Sequence, residues 1–293
     1  MLILASEYGQ IDVVVYLLRN GANVNLKDVY GFTAIACASK NGFNEILEIL
    51  IQNEADIEVE GVMGVTPLMW ATQNDHIETC KILLNNGANI NHQDDLQWTA
   101  VHYAAAYSSL AMVKLLVDRK ADLNNQVQGG ITALMLSASR FDLVNGPIIC
   151  KYLIDIGVNL QQVDDTEQNA LMKCVENGNL AIYRSLFNGG KNGWNLEQTD
   201  INGETILMKA VKSRQLQILK NLVAYGANVD AQMKETGRTV VMEASRLNYY
   251  EILAHLLLQQ PDLTLKDTDG WTAIMFASNY KHHECVKLLS LYQ

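Results

Sequence analysis

The sequence predicts an all-α stack of about nine copies of one unit, each a turn followed by two short helices. Three observations predict it. A Gly-x-Thr frame and its close variants recur along the whole chain: the anchors Thr33, Thr66, Thr99, Thr132, Asn169, Thr205, Thr239 and Thr272 are separated by 33, 33, 33, 37, 36, 34 and 33 residues. Each anchor is followed by two helical patterns, the second with paired leucines as in CKILL and MVKLLV. The opening MLILASEYGQIDVVVYLLRNGANVN lies over the same pattern as a further copy without its turn.

The residues justify each element in order. An Asp five positions before the anchor (Asp28, Asp94, Asp164, Asp200, Asp267) is placed to tie the turn through its carboxylate. The anchor hydroxyl caps orphan amides of the first helix, and the Pro or Ala that follows suits the first helical position. Small residues one turn on (Ala38, Ala71, Ala104, Ala105, Ala210, Ala244, Ala277) let neighbouring helices approach closely. Val, Ile, Cys and paired Leu form the apolar stripe of the second helix. Gly21, Gly87 and Gly226 then end it through the left-handed conformation that glycine tolerates.

Period and motif resemble the ankyrin repeat, whose unit is a β-turn with two antiparallel helices and whose signature is Thr-Pro-Leu-His-x-Ala. GVTPLMWATQNDH from Gly64 carries the likeness best, and the register extends it over the chain. The resemblance implies an ankyrin-repeat α-solenoid with β-turn or hairpin tips, in one array over 1–293. Its repeats fall roughly at 1–27, 28–60, 61–93, 94–126, 127–163, 164–199, 200–233, 234–266 and 267–293, the first truncated. Inserted residues are expected at FDLVNGP, at GKN and beside Lys234. In the family the His of the signature joins neighbouring turns by hydrogen bonds. Only His102 occupies that slot; Met69, Met135, Met172, Met208, Met242 and Met275 replace it, which predicts a more apolar seam.

Composition narrows the function classes. The chain is 49% hydrophobic, enough to bury a large core, with no apolar run long enough to cross a bilayer. Membrane insertion is not expected. A net charge of −10, with basic residues dispersed among acidic ones, argues against a nucleic-acid partner. Five scattered cysteines form no disulfide frame or CxxC, so a reducing, cytoplasmic setting is expected. Four of them occupy packing positions, and Cys285 alone is expected near solvent. No cofactor, metal or catalytic constellation stands out. His76 and His282 read as structural residues of the helix–helix turn, His282 and His283 point to different helix faces, and NGGKNG around Lys191 lacks the spacing of a phosphate loop.

Function is then expected from a surface. In ankyrin arrays partners commonly meet the concave side, made of turn tips and the exposed edge of the first helices. By register this side takes Tyr8, Tyr30, Phe32, Met63, Val65, Trp70, Leu96, Trp98, Tyr103 and Tyr107 from the first four repeats, with Val62 beside them, and Trp271, Phe276 and Tyr280 from the last. The sixth to eighth contribute mainly Asp165, Gln168, Glu176, Asn202, Glu204, Lys212, Glu235 and Arg238. An aromatic stripe of that extent predicts a scaffold or adaptor that binds a peptide or helix of a protein partner. The acidic C-terminal half would favour a basic segment of that partner. The bland alternative for Trp70 and Tyr103 is that they pack on each other between units.

Two other classes remain open. The array could be the arm of a larger channel, kinase or acyltransferase, as expected from a first unit without its turn and a last one without a polar cap. It could also be a structural spacer subunit of an assembly.

Overall fold

The computed structural model describes all residues except Phe141, Leu143, Gly190, Lys191, Asn192 and Gln293. The contacts divide the chain into two compact units, Met1–Arg140 and Phe141–Gln293. In the first, helices come in pairs: α1 (Leu2–Glu7) with α2 (Ile11–Arg19), α3 (Ala34–Asn41) with α4 (Asn44–Gln52), α5 (Pro67–Gln73) with α6 (Ile77–Asn85), and α7 (Ala100–Tyr107) with α8 (Leu110–Asp118). A two-residue hairpin, β1 (Gln126–Val127) and β2 (Ile131–Thr132), leads into α9 (Ala133–Ala138). The second unit opens with α10 (Asn145–Asp155). It continues as α11 (Ala170–Asn177) with α12 (Leu180–Gly189), α13 (Ile206–Lys212) with α14 (Leu216–Ala224), α15 (Val240–Arg246) with α16 (Tyr250–Leu257), and α17 (Ala273–Asn279) with α18 (His283–Ser290).

Within each unit first helices pack on first helices and second on second. The contacts run α1 to α3 to α5 to α7 to α9, and α11 to α13 to α15 to α17; α10, α12, α14, α16 and α18 stack in the same manner. Alanines make this possible: Ala38, Ala71, Ala104, Ala210, Ala244 and Ala277 are fully enclosed, where a larger side chain would force the helices apart. The second helices supply the bulk of the core, with Leu47, Leu50, Leu83, Leu116, Leu222, Leu253 and Leu256 all shut off from water. Each such side chain contributes roughly 1.5–3 kcal/mol.

The caps follow the expectation. Met69 N donates to Thr66 Oγ1 at 3.4 Å, Met135 N to Thr132 Oγ1 at 3.3 Å and Met172 N to Asn169 Oδ1 at 2.9 Å. Gly21, Gly87 and Gly226 adopt φ of 79°, 95° and 88°, just past α2, α6 and α14. Among the insertions, the extra residue beside Lys234 lengthens one turn. Asp94 N donates to Trp98 O four residues on, whereas Met233 N reaches five residues on to Arg238 O. FDLVNGP is described apart from Phe141 and Leu143: Asp142 Oδ1 accepts Val144 N at 2.7 Å and Asn145 N at 3.2 Å, and α10 begins at Asn145, whereas GKN, the core of NGGKNG, lies outside the described residues.

All five cysteines are buried, which corrects the expectation for Cys285. It lies thirteen residues after its anchor, in the row of Ile46, Thr79, Met112, Ile182, Ile218 and Ile252. Every member of that row is enclosed, and Cys285 donates its thiol to Asn248 Oδ1 at 3.4 Å. Burial pushes the Cys37 thiol up to about 11 and the Cys80 thiol up to about 12. No described helix is long and apolar enough to cross a membrane.

Candidate docking surface

The turn tips are built by one recurring device. In five turns a single carboxylate oxygen of the leading Asp accepts two backbone amides, two and four residues on. Asp28 Oδ1 takes Tyr30 N at 2.9 Å and Phe32 N at 2.8 Å, and Asp94 Oδ1 takes Leu96 N and Trp98 N at the same two distances. Asp164, Asp200 and Asp267 repeat the pattern. This holds residues three and four before the anchor outside the core; the residue one before is half-buried in Phe32, Trp98, Glu204 and Trp271, and Gln168, expected on the concave side, is buried because its amide bonds Glu176. Tyr30 is 70% exposed and Val29 91%. Backbone links tie successive tips together, with Asp95 N donating to Met63 O at 3.0 Å and Gln128 N to Leu96 O at 3.1 Å.

In three of these turns the second carboxylate oxygen of the Asp bonds the residue four past the anchor. Tyr103 Oη donates to Asp94 Oδ2 at 2.7 Å, and Lys209 Nζ donates to Asp200 Oδ2 at 2.6 Å; Lys173 pairs with Asp164 in the same way. Burial, the Asp94 hydrogen bond and its charge all push the Tyr103 phenol upward, so it stays protonated and donating. The third repeat has Gly61 where these five turns carry Asp, and there Trp70 Nε1 is buried without a hydrogen-bond partner among the described residues.

His102 keeps the full ladder. Its Nδ1 accepts from Thr99 N at 3.1 Å, and Nε2 donates to Asn125 O at 3.0 Å. Desolvation lowers its pKa, consistent with a neutral ring. Met69 and Met208 preserve only the near half: their sulfurs accept from Thr66 N and Thr205 N at 3.5 Å and offer no proton to a neighbouring carbonyl. His76 and His282 bond the carbonyls of Lys40 and Ser245, two structural roles that match the sequence reading.

In Met1–Arg140 the expected aromatics form two clusters. Phe32 and Trp70 lie with centroids 5.6 Å apart, and Lys40 sits above both rings at 5.4 and 5.0 Å. Trp98 contacts Tyr103 at 5.1 Å and stacks with Tyr107 at 6.2 Å and 19°. Trp70 and Tyr103 do not pack on each other; each pairs with a tip aromatic. Tyr8, Tyr30, Met63, Leu96 and Tyr107 are exposed, while Phe32, Trp70, Trp98 and Tyr103 are half-buried. Val65 is a correction. At 7% exposure it lies inside the turn, because its short branched side chain cannot reach out over the first helix as Phe32 and Trp98 do from the same position. Val29, Lys40 and Asp95 were missed, although their register places them on the same side.

The last repeat, in the second unit, is less open than expected. Phe276 is buried beneath Arg238, whose guanidinium carbon lies 5.0 Å from its centroid, and beside Trp271 at 5.2 Å. Trp271 is half-buried, and Tyr280 is exposed and stacks on His282. The charges of the sixth to eighth repeats are largely spent on one another. Lys209 bonds Glu176 Oε1 as well as Asp200, Lys212 pairs with Glu204, and Arg238 and Arg246 both reach Glu243. The acidic excess expected in the C-terminal half lies instead in residues 1–140, which hold 15 acidic and 8 basic residues against 17 and 14 in residues 141–293.

Comparison with known families decides the identity of these repeats. The family described as "Ankyrin repeats (3 copies)" matches residues 2–94, 143–233, 171–267 and 241–292, and "Ankyrin repeats (many copies)" matches 83–137. The chain belongs to the ankyrin repeat family. Ankyrin repeats are generally protein–protein interaction modules and are typically non-catalytic. A search of curated proteins finds no match for this ankyrin protein.

Proposed function

We propose that this ankyrin protein is a non-catalytic adaptor, and that Met1–Arg140 holds its docking surface on the turn tips and first helices. The observation that carries the reading is the run of exposed apolar tips Val29, Tyr30, Val62, Met63 and Leu96 beside two half-open aromatic clusters. Monomers rarely leave apolar side chains so contiguous without a use for them, and aromatic anchors dominate the energy of most interfaces. A peptide or helix of a protein partner fits such a surface. A cytoplasmic setting agrees with five buried cysteines that form no disulfide.

The test is a triple variant of exposed residues, Tyr30→Ser, Met63→Ser and Tyr107→Ser, used to capture partners from the source cell. It should lose partners that the wild type retains, with helical circular dichroism unchanged and stability altered by less than about 1 kcal/mol, as for other surface sites. Undiminished capture overturns the assignment. Phe32→Ala with Trp98→Ala gives a second reading of the same surface, with a larger loss of stability because both rings are half-buried.

A further inference from the structure

Two aromatic clusters on the turn-tip side are each covered by a cation of the chain's own. Lys40 covers Phe32 and Trp70, and Arg238 covers Phe276 beside Trp271. A third on that side, Trp98 with Tyr103 and Tyr107, has no such cover: among the described residues no Lys or Arg lies over these rings. The register explains the gap. The place seven past the anchor, which holds Lys40 in the second repeat, holds Gln73 in the third and Ala106 in the fourth. Arg140 is engaged with the carbonyls of Ala105 and Ser108 rather than with the rings.

Negative charge stands beside this uncovered face. Asp94 is buried beside Tyr103, its oxygens taking two amides and the phenol. Asp95, next along the same tip, is exposed, and among the described residues its carboxylate makes no side-chain hydrogen bond or ion pair. That carboxylate lies so close to Gly64 that a Cβ there would come within 3.0 Å of Oδ1, so the third tip leaves room for it. The unit as a whole carries nearly twice as many acidic as basic residues.

We infer that the Trp98–Tyr103–Tyr107 cluster receives an arginine side chain of the partner segment, seated where Lys40 and Arg238 sit in the other two clusters. This rests on the docking reading above and names the chemistry of its occupant. A guanidinium suits the site better than an ammonium: it is planar, stacks on a ring face, sheds water more readily and still presents N–H groups at its edge to a carboxylate such as Asp95.

The experiment selects random dodecapeptides displayed on phage against the whole chain at physiological salt. Selected peptides are then synthesised with Arg, Lys or Ala at each enriched position and titrated against wild type, Tyr107→Leu and Asp95→Asn. Tyr107 is exposed, so its replacement leaves the fold intact, which the melting temperature checks. The expected result is an enriched Arg whose change to Ala weakens binding at least tenfold, and whose change to Lys weakens it severalfold. Tyr107→Leu should weaken the Arg peptide by a similar factor and the Ala peptide far less, the coupling that marks direct contact. Peptides that depend on Tyr107 without needing Arg overturn the arginine site and leave the docking surface standing. A selection with no binder sensitive to Tyr107→Leu or to the Tyr30, Met63 and Tyr107 triple variant overturns both.

Discussion

Lys209 Nζ lies 2.6 Å from Asp200 Oδ2, and both side chains are almost wholly withdrawn from water. Burial would pull the lysine's pKa down, but hydrogen bonds to Asp200 and Glu176 outweigh it and hold the pKa above its usual value. For Asp200, burial pulls upward, and the Lys209 bond with the amides of Glu204 and Asn202 brings the pKa below the usual carboxylate range. Tyr103 fills the equivalent place against Asp94 with a phenol, so one position serves two chemistries.

Removing the ammonium should therefore cost more than removing the pair. Lys209→Met leaves Asp200 charged and unpaired inside the stack, an expected loss of about 3 kcal/mol or more. Lys209→Met with Asp200→Asn should recover much of it, since the Asn oxygen can still accept the two turn amides. Urea unfolding of the three proteins checks this; a double variant no more stable than the single would refute the account.

The same pair sets a pH dependence. Asp164 and Asp200 have folded pKa values below 3.8. Their contribution is whole above the unfolded pKa of about 3.9 and is lost as pH falls through the folded values. Lys209, raised, contributes fully below about 10.4 and loses that contribution as pH rises through its folded pKa. The penalty of Lys209→Met should then be greatest near neutrality and shrink below about pH 4, where protonated Asp200 no longer needs a counter-charge. A penalty that stays constant from pH 7 to pH 3 would contradict it.

Cysteine chemistry offers a third check. All five thiols are enclosed, with those of Cys37, Cys80, Cys174 and Cys285 shifted upward chiefly by desolvation. A thiol reagent at pH 8 should label none of them quickly in the folded protein and all five in urea. Rapid labelling of Cys285 in the native state would restore the exposed placement that the sequence suggested.

Much of the fold was legible because each repeat states its rules locally. Asp94 ties its own turn, Thr66 caps its own helix and Gly87 ends the next one, all within a few residues of sequence. The docking surface was legible in part for the same reason: Tyr30, Met63 and Tyr107 take their exposure from their place in the repeat. Val65 and Phe276 broke the pattern, since exposure also depends on side-chain length and on what the neighbouring repeat lays over it. Val65 is too short to leave its turn, and Arg238 closes over Phe276. Lys40 was overlooked because a lone lysine shows no sign of its aromatic partners, which come from its own turn and from the next repeat.

By itself the amino-acid sequence determined the repeat, its period, the caps and turns, and the side of each unit that faces outward, because these follow from backbone hydrogen bonding and apolar spacing over fewer than forty residues. Only the tertiary structure decided which charges are spent inside the stack, which rings are covered by a cation, and that the uncovered cluster lies at Trp98 and Tyr107. Those outcomes depend on contacts between side chains, within a repeat as for Lys209 and Asp200 or across repeats as for Lys40 and Trp70, whose energies vary with distance and burial rather than with residue type.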